Sequence, residues 1–251
     1  MVFVLPDLSS AVFWAALWKI IVANIILSGD NAVVIAMACH NLSDKYRRPA
    51  IMFGSAGAIV LRIIFCAVIG FLLSVPYLKL VGGALLFWIG VKLLVDEEED
   101  ANIKAHDNIW AAIWTIIVAD AVMSLDNAIA IAAAAKGDFT LIVIGLVISI
   151  PIIIVGATLI SRVLDRFPWL ALVGAGLIGW IAGEIMAGEG RVEQADAAGK
   201  LVEIVHPGTI AAWLDVRMPH AEAVCGLVGA ALVIAVGLVL ARRHARHAEK
   251  G

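Results

Sequence analysis

Residues 14–38 read WAALWKIIVANIILSGDNAVVIAMA, and residues 110–134 read WAAIWTIIVADAVMSLDNAIAIAAA. The two stretches overlay without a gap and share Trp, Ser, Asp and Asn at matching places, which apolar composition alone would not produce. A second overlay sets residues 76–89 on residues 168–181, both of which begin Pro-x-Leu-x-Leu-Val-Gly. The segments between these two overlays align only weakly. The sequence therefore predicts two copies of one unit.

The composition is that of a membrane protein. Of the 251 residues, 63% are hydrophobic and 16% are charged, against roughly 25% charged in soluble domains. A helix needs roughly 20 apolar residues to cross the hydrocarbon core. The segments that meet this requirement are 11–39, 50–74, 77–95, 109–135, 139–161, 168–188 and 221–241. We therefore predict an all-α polytopic membrane protein with seven transmembrane helices, arranged as two three-helix repeats plus a C-terminal helix.

The domain organisation follows from these segments. The single transmembrane domain divides into a first repeat (11–95), an acidic cytoplasmic linker (96–108), a second repeat (109–188), an external loop (189–220), a seventh helix (221–241) and a basic cytoplasmic tail (242–251). An odd number of helices in each repeat makes consecutive repeats enter the membrane from opposite sides, which is an inverted topology. Lys and Arg concentrate in the loops on the side of the C-terminus, so we expect a cytoplasmic C-terminus and an external N-terminus.

Each copy contains one polar run inside its first helix. The run is Ser28-Gly29-Asp30-Asn31 in the first copy and Ser124-Leu125-Asp126-Asn127 in the second. An ionised carboxylate in the membrane interior costs about 3 kcal/mol or more, so it needs a partner, a proton or a wet cavity. Two such runs at matching positions predict a function. The alternative is a structural role, in which the polar groups hydrogen-bond across helices and hold the bundle together.

Helical spacing places further polar residues beside these runs, because residues separated by four and seven positions share a face at about 100° per residue. One face carries Asn24, Ser28 and Asn31, and the equivalent face of the other copy carries Asp120, Ser124 and Asn127. Asp30 and Asp126 each lie about 100° from the neighbouring Asn. We therefore expect both helices to loosen at the run, which Gly29 favours in the first copy and Leu125 favours less in the second.

The donors that these polar residues offer to a ligand are all oxygens. Such a shell suits hard divalent cations such as Mn²⁺, Mg²⁺ or Ca²⁺. The candidate metal ligands are Asp30, Asn31, Asp126, Asn127, Asp120 and Asn24, and the supporting residues are Ser28, Ser124, Arg62 and Glu184.

The charges of the candidate site suggest how it works. Arg62 lies deep in the second helix and has no counterpart in the fifth. If Arg62 joins the site, the three aspartates and its guanidinium leave two negative charges, which one divalent cation would balance. Desolvated carboxylates that repel one another also bind protons readily, so we expect exchange of the cation for protons. Glu184, in the sixth helix, is a candidate for the outer end of the ion path.

The paired runs resemble those of the TerC family of integral membrane proteins, in the branch associated with metal transport. The resemblance rests on Ser28–Ala32 and Ser124–Ala128, each in the first helix of one half of a seven-helix chain, and covers about residues 14–241. It implies manganese export across the bacterial cytoplasmic (inner) membrane, with Asp30, Asn31 and the equivalent Asp126 and Asn127 as ion-binding residues. The family name refers to tellurium resistance, but an acid-lined path is poorly suited to an oxyanion.

Two other functions compete with transport. One is a non-transporting scaffold or sensor in a metal or tellurium stress-response complex. The other is an intramembrane aspartyl protease with Asp30 and Asp126 as its dyad, but no further hydrolase signature is present and we expect no enzyme activity. The expected partners are membrane lipid and a transported Mn²⁺ or similar cation, with no permanently bound cofactor and no nucleic acid. Whether the chain forms a homo-oligomer is left open.

Overall fold

The computed structural model describes residues 11–72, 75–100, 108–135, 138–195 and 201–248. Helices dominate these ranges. In chain order the elements are α1 (Ala11–Leu27), α2 (Gly29–His40), α3 (Asp44–Leu72), α4 (Leu78–Asp100), α5 (Ile109–Ala134), α6 (Phe139–Arg166), α7 (Leu170–Ala187), β1 (Arg191–Ala195), β2 (Leu201–Val205), α8 (Ile210–Arg217) and α9 (Ala221–Ala248).

The helices are those of a multi-pass membrane protein. Five of them, α3, α4, α6, α7 and α9, are long and apolar enough to cross a membrane. The pair α1 and α2 passes the same test when taken together, with a bend of 47° between them, and would be a sixth span. In α5 the apolar part that the structure describes, Ile109–Leu125, is shorter.

The outside of the bundle is apolar, as lipid requires. Four tryptophans at repeat-related positions, Trp14, Trp18, Trp110 and Trp114, each expose more than half of their surface. Exposed aromatic rings at this density are unfavourable in water, whereas tryptophan is enriched where membrane helices meet the interface. The repeated Trp-x-x-x-Trp pattern therefore marks the lipid-facing side of α1 and α5.

Inside the bundle, glycines let helices approach closely. A Cβ at Gly54 of α3 would lie 2.6 Å from Ile116 Cδ1, and a Cβ at Gly145 of α6 would lie 2.5 Å from Ile20 Cγ2. Ile20 and Ile116 are equivalent in the sequence overlay and both are buried. Small residues at helix contacts are the usual way in which membrane helices pack. The same isoleucine thus rests on a glycine of another helix in each copy.

Helices of one predicted repeat pack mainly on helices of the other. Helix α3 packs on α5, α1 and α2 pack on α6, and α4 packs on α7. Helix α9 lies against α4 and α7, and at Gly183 of α7 the backbone of Cys225 is so close that no side chain would fit. The buried apolar side chains form two large clusters, and each cluster contains residues of both halves.

Several predicted boundaries need correction. The segment 189–220, predicted as an external loop, connects α7 to α9 but has structure of its own. It contains the antiparallel hairpin of β1 and β2, in which Arg191 pairs with Val205 and Ala195 with Leu201, and the short helix α8. Helix α4 continues through the acidic residues to Asp100, into the predicted linker, and α9 continues into the basic tail as far as Ala248. Of the linker, residues 101–107 lie outside the described part of the chain.

Candidate ion-binding site

The first polar run breaks its helix. Helix α1 ends at Leu27 and α2 begins at Gly29, and Ser28 between them has φ −114° and ψ 8°. The predicted loosening is therefore confirmed in this copy. Gly29 itself lies in the helical first turn of α2, with open space where a Cβ would stand, so the break falls at the serine and does not depend on room for a glycine.

The second run does not break its helix. Helix α5 continues without interruption from Ile109 to Ala134, through Ser124–Asn127, so the predicted loosening of the second copy is wrong. Leu125, at the position of Gly29, is buried and leucine is a strong helix former. Both effects favour a regular helix at this point.

Arg62 of α3 lies where the two polar faces meet. Its side chain is completely buried. The guanidinium donates hydrogen bonds to Asn24 Oδ1 (2.6 Å) and Ser28 Oγ (2.9 Å) in the first copy. It also donates to Ser124 Oγ (2.9 Å) and Asp120 Oδ1 (2.5 Å) in the second. One side chain thus joins both copies in the interior of the bundle.

Asp120 completes this network. Its Oδ1 accepts a hydrogen bond from Asn31 Nδ2 at 2.6 Å in addition to the bond from Arg62, and its Oδ2 accepts one from Ser124 Oγ at 3.0 Å. Asn24, Ser28, Asn31, Asp120, Ser124 and Arg62 therefore form one buried cluster, which we call the Arg62 network. Five of these six residues follow from helical spacing, and the sequence also suggested the sixth.

Two polar atoms of the network have no partner in the described part of the chain. The amide oxygen of Asn31 and the amide nitrogen of Asn24 are buried and make no hydrogen bond there. An unsatisfied buried polar atom costs about 1–3 kcal/mol, so each such atom in a native structure calls for an explanation, and a bound ion or water is one of them. The Asn31 oxygen is the one that a cation could use.

The Asp-Asn pairs of the two polar runs contain the other two candidate aspartates, Asp30 and Asp126. Asp30 is half-buried in the first turn of α2, where its carboxylate accepts the backbone N–H of Asn31 at 2.8 Å and is favoured by the helix dipole. The side chain of Asp126 lies outside the described part of the structure, and Asn127 is half-buried on α5. Among the described residues there is no cluster of three or more His, Cys, Asp or Glu side chains that could hold a metal.

Comparison with known proteins agrees with this architecture. The model of the family described as integral membrane protein TerC family matches residues 9–245. The chain belongs to the TerC family.

Several bacterial membrane proteins are similar to this TerC-family chain. Over 192 residues it is 41% identical to the uncharacterized membrane protein YjbE of Bacillus subtilis (strain 168), which covers 76% of the chain and 88% of YjbE. It is 26% identical over 185 residues to YceF of the same organism, covering 70% of the chain and 72% of YceF. The UPF0053 inner membrane protein YoaE of Escherichia coli (strain K12) is 22% identical over 180 residues, covering 64% of the chain and 35% of YoaE. No solved structure matches the chain.

This TerC-family protein has a cavity of about 460 Å³ beside the hairpin of β1 and β2. Its walls come from the end of α3, the start of α4, and the segments 189–192 and 206–210 around the hairpin. Leu125, which directly precedes Asp126, also lines it. The cavity therefore reaches from the hairpin to the second polar run.

Two residues that the sequence did not single out fix the hairpin beside this cavity. The buried carboxylate of Glu189 accepts the backbone N–H groups of Tyr77 (2.8 Å), Lys79 (3.0 Å) and Leu80 (3.3 Å), at the start of α4. Arg191 binds three carboxylates, which are Glu203, Asp215 at 2.7 Å and Glu222 at 2.8 Å. No motif marks either residue in the sequence.

The carboxylates around Arg191 keep its guanidinium charged. Burial acts to lower the pKa of Arg191, but its hydrogen bonds and ion pairs with the three carboxylates outweigh this and raise the pKa above its usual value. Arg191 therefore remains charged and ties β1 to β2, α8 and α9. Glu184 lies near Glu222 at this end of the molecule, and none of its described contacts joins the Arg62 network.

Proposed function

We propose that this TerC-family protein is a secondary transporter that exports a divalent metal cation in exchange for protons, and that Mn²⁺ is its main substrate. The observation that carries the proposal is the Arg62 network, in which polar faces from both copies meet in the interior of an apolar bundle. Polar and ionisable residues at such a place usually mark an ion path. The site offers carboxylate, amide and hydroxyl oxygens, and such donors favour Mn²⁺, Mg²⁺ and Ca²⁺ over zinc or copper.

The packing of the helices supports an inverted repeat of seven spans. If the two repeats are exchanged, the contact of α3 with α5 becomes that of α6 with the α1–α2 pair, and the contact of α4 with α7 becomes itself. The Ile116–Gly54 and Ile20–Gly145 contacts exchange in the same way. Helix α5, with 26 residues and a length of about 39 Å, is long enough to cross the membrane, which would bring the number of spans to seven. This arrangement is typical of alternating-access transporters.

The cavity and the opposite end of the bundle support an export path. With the N-terminus outside and the C-terminus in the cytoplasm, the cavity opens outwards and leads to Leu125. At the cytoplasmic end, Arg47 Nη1 binds Asp165 Oδ2 at 2.7 Å and Arg47 Nη2 donates to the carbonyl of His40 at 2.8 Å. These contacts tie α2, α3 and α6 together. The conformation described here therefore fits the state that releases the cation outside the bacterial inner membrane.

In the proposed cycle, the charge of the site decides what is exchanged. Asp30, Asp120 and Asp126 against Arg62 leave two negative charges, which one divalent cation neutralises. After the cation leaves, protons are proposed to take its place, because carboxylates that are held away from water and near other negative charges generally bind protons more readily. The oxygens proposed to hold the cation belong to Asp30, Asn31, Asp126 and Asn127, with Asp120 and Asn24 completing the polar set around them.

The test is cation flux in liposomes that contain the purified protein, with a Mn²⁺-sensitive dye inside. We expect Mn²⁺ flux in the wild type and a loss of about tenfold or more, equivalent to about 1.4 kcal/mol, in Asp30→Asn and in Asp126→Asn. Asp215→Asn, which neutralises an exposed carboxylate on α8, is the matched control and should keep its flux.

Three other outcomes would count against this function. Unchanged flux in both site variants would remove these acids from the mechanism. No flux of any divalent cation in the wild type would favour a scaffold or sensor, and cleavage of a peptide without flux would favour a protease.

A further inference from the structure

The carboxylate of Asp120 is already engaged on both of its oxygens. Oδ1 accepts from Arg62 and from Asn31, and Oδ2 accepts from Ser124. A carboxylate offers about four lone pairs in all, so three of them are in use. The negative charge of Asp120 is also matched one for one by the guanidinium of Arg62 in a pair that is buried on both sides. Removing one member of such a pair leaves a buried charge without compensation.

Arg62 restricts where a cation can bind. A guanidinium has five N–H donors and no acceptor, keeps its charge at every physiological pH, and repels a second cation at short range. Four of its contacts take up oxygens of Asn24, Ser28, Asp120 and Ser124. A cation must therefore be held by oxygens that the guanidinium does not contact.

Asn31 offers such an oxygen. Its amide nitrogen is held by Asp120 Oδ1 at 2.6 Å, which fixes the plane of the amide, and its amide oxygen is buried without a partner among the residues that the structure describes. Asp30 is the preceding residue in the same helical turn, and it is bound to the backbone N–H of Asn31. Arg62 contacts neither the amide oxygen of Asn31 nor the carboxylate of Asp30, so both groups are left for a cation.

From these contacts we infer that Asp120 is a positioning residue and not a cation ligand. Paired with Arg62, it holds Asn31 so that the amide oxygen is left for the cation, and it adds no net charge to the site. This inference rests on the proposed transport function. It leaves Asp30 and Asp126 as the two acids whose charge the cation is proposed to balance. A single arginine suffices because it contacts residues of both copies.

The test is a charge-matched pair of substitutions, Arg62→Gln and Asp120→Asn, made singly and together. Each single change alters the charge of the site by one unit, so we expect Mn²⁺ flux in liposomes to fall about tenfold or more, and the apparent KM for Mn²⁺ to shift. The double variant restores the charge. Its glutamine amide can still donate to the introduced asparagine, whose amide oxygen can still accept from Asn31. Flux and KM of the double variant should therefore return to within about threefold of the wild type.

The double variant can also contradict the inference. If the double variant transports no better than Asp120→Asn alone, Asp120 is a direct ligand and the inference is wrong. Variants are compared only if they elute as single species in size-exclusion chromatography, and Arg62→Lys with native Asp120 provides a second variant that keeps the pair's charge and should outperform Arg62→Gln.

Thermal unfolding without metal separates this inference from the proposed function. Both single variants should have a lower Tm than the wild type, and the double variant should recover most of the loss, whether or not the protein transports a cation. If the wild type neither transports nor is stabilised by Mn²⁺, the transport proposal fails while the Tm values still decide the pairing. Additive losses of Tm in the double variant would show that Arg62 and Asp120 do not act as a pair.

Discussion

Ser124 makes two hydrogen bonds in the Arg62 network. Ser124 Oγ both accepts from Arg62 at 2.9 Å and donates to Asp120 at 3.0 Å, so it satisfies the two charged groups that are hardest to bury. Ser161 of α6 is just as buried, but its hydroxyl has no partner within the described ranges. The two serines therefore allow a direct comparison of a satisfied hydroxyl with an unsatisfied one.

We predict that Ser124→Ala lowers the free energy of unfolding by about 1–3 kcal/mol, because it leaves Arg62 and Asp120 each short of one buried hydrogen bond. Ser161→Ala removes a buried hydroxyl that gains nothing and should change the free energy by less than about 0.5 kcal/mol or raise it. Unfolding of the detergent-solubilised protein by denaturant measures both. Equal losses for the two serines would contradict the role given to Ser124.

Helical periodicity explains why most of this network could be predicted. Asn24, Ser28 and Asn31 are brought together by one helical face, so their spacing alone groups them. The partners of Arg62 could not be predicted in the same way, because Asn24 and Asp120 lie 38 and 58 residues from it in the chain. Such contacts depend on how α3 packs against its neighbours.

At the scale of the elements, glycines set the distance between helices. A Cβ added at Gly54 would lie 2.6 Å from Ile116 Cδ1 and 3.1 Å from its Cβ, and one added at Gly145 would lie 2.5 Å from Ile20 Cγ2 and 3.2 Å from its Cβ, whereas one added at Gly29 would have nothing within 4 Å. The first two glycines are therefore required for packing and the third is not.

We predict that Gly54→Ala and Gly145→Ala each destabilise the fold by about 1–3 kcal/mol, because the added methyl group overpacks a tight contact. Gly29→Ala should stabilise it by up to about 1 kcal/mol, since alanine is the better helix former and meets no neighbour. Denaturant unfolding of the three variants checks this. A loss for Gly29→Ala as large as the other two would mean that the break at Ser28 needs the glycine.

The hairpin depends on Glu189, which binds three backbone N–H groups at the start of α4. We predict that Glu189→Ala releases this helix end at a cost of about 1 kcal/mol and speeds amide hydrogen exchange at Tyr77, Lys79 and Leu80. Glu203→Ala, which removes a partner of Arg191 on the exposed side of the hairpin, is the control and should leave these amides protected. Unchanged exchange in Glu189→Ala would exclude the anchoring role.

The positions of the helices were easier to predict than their ends and connections. The length of an apolar stretch shows where a helix crosses the membrane. A charged residue shows where the membrane ends but not where the helix ends, so α4 continues through its acidic residues to Asp100. The hairpin has strands of only five residues and the helix α8 of eight. Elements this short are held by contacts such as those of Glu189 and Arg191, which come from distant parts of the chain.

For the whole molecule, the proposed topology and the outward cavity make one joint prediction. It uses a protein in which Cys39, Cys66 and Cys225 are replaced by Ala, so that an introduced cysteine is the only one. Val202, exposed on β2, should be external, and Arg48, exposed at the start of α3, should be cytoplasmic. Leu125 is buried in the bundle but lines the cavity that begins at the hairpin.

We therefore expect a membrane-impermeant thiol reagent, added to intact cells, to label Val202→Cys fast, Leu125→Cys more slowly, and Arg48→Cys only after the cells are opened. The slower reaction at position 125 follows from its depth, because the reagent must pass the residues of the hairpin. Ile116→Cys, buried against Gly54 on the same helix as Leu125, is the matched control and should stay unlabelled throughout. Labelling of Arg48→Cys in intact cells would show that the chain has the opposite orientation in the membrane. Protection of Leu125→Cys equal to that of Ile116→Cys would show that the cavity does not lead to the second polar run.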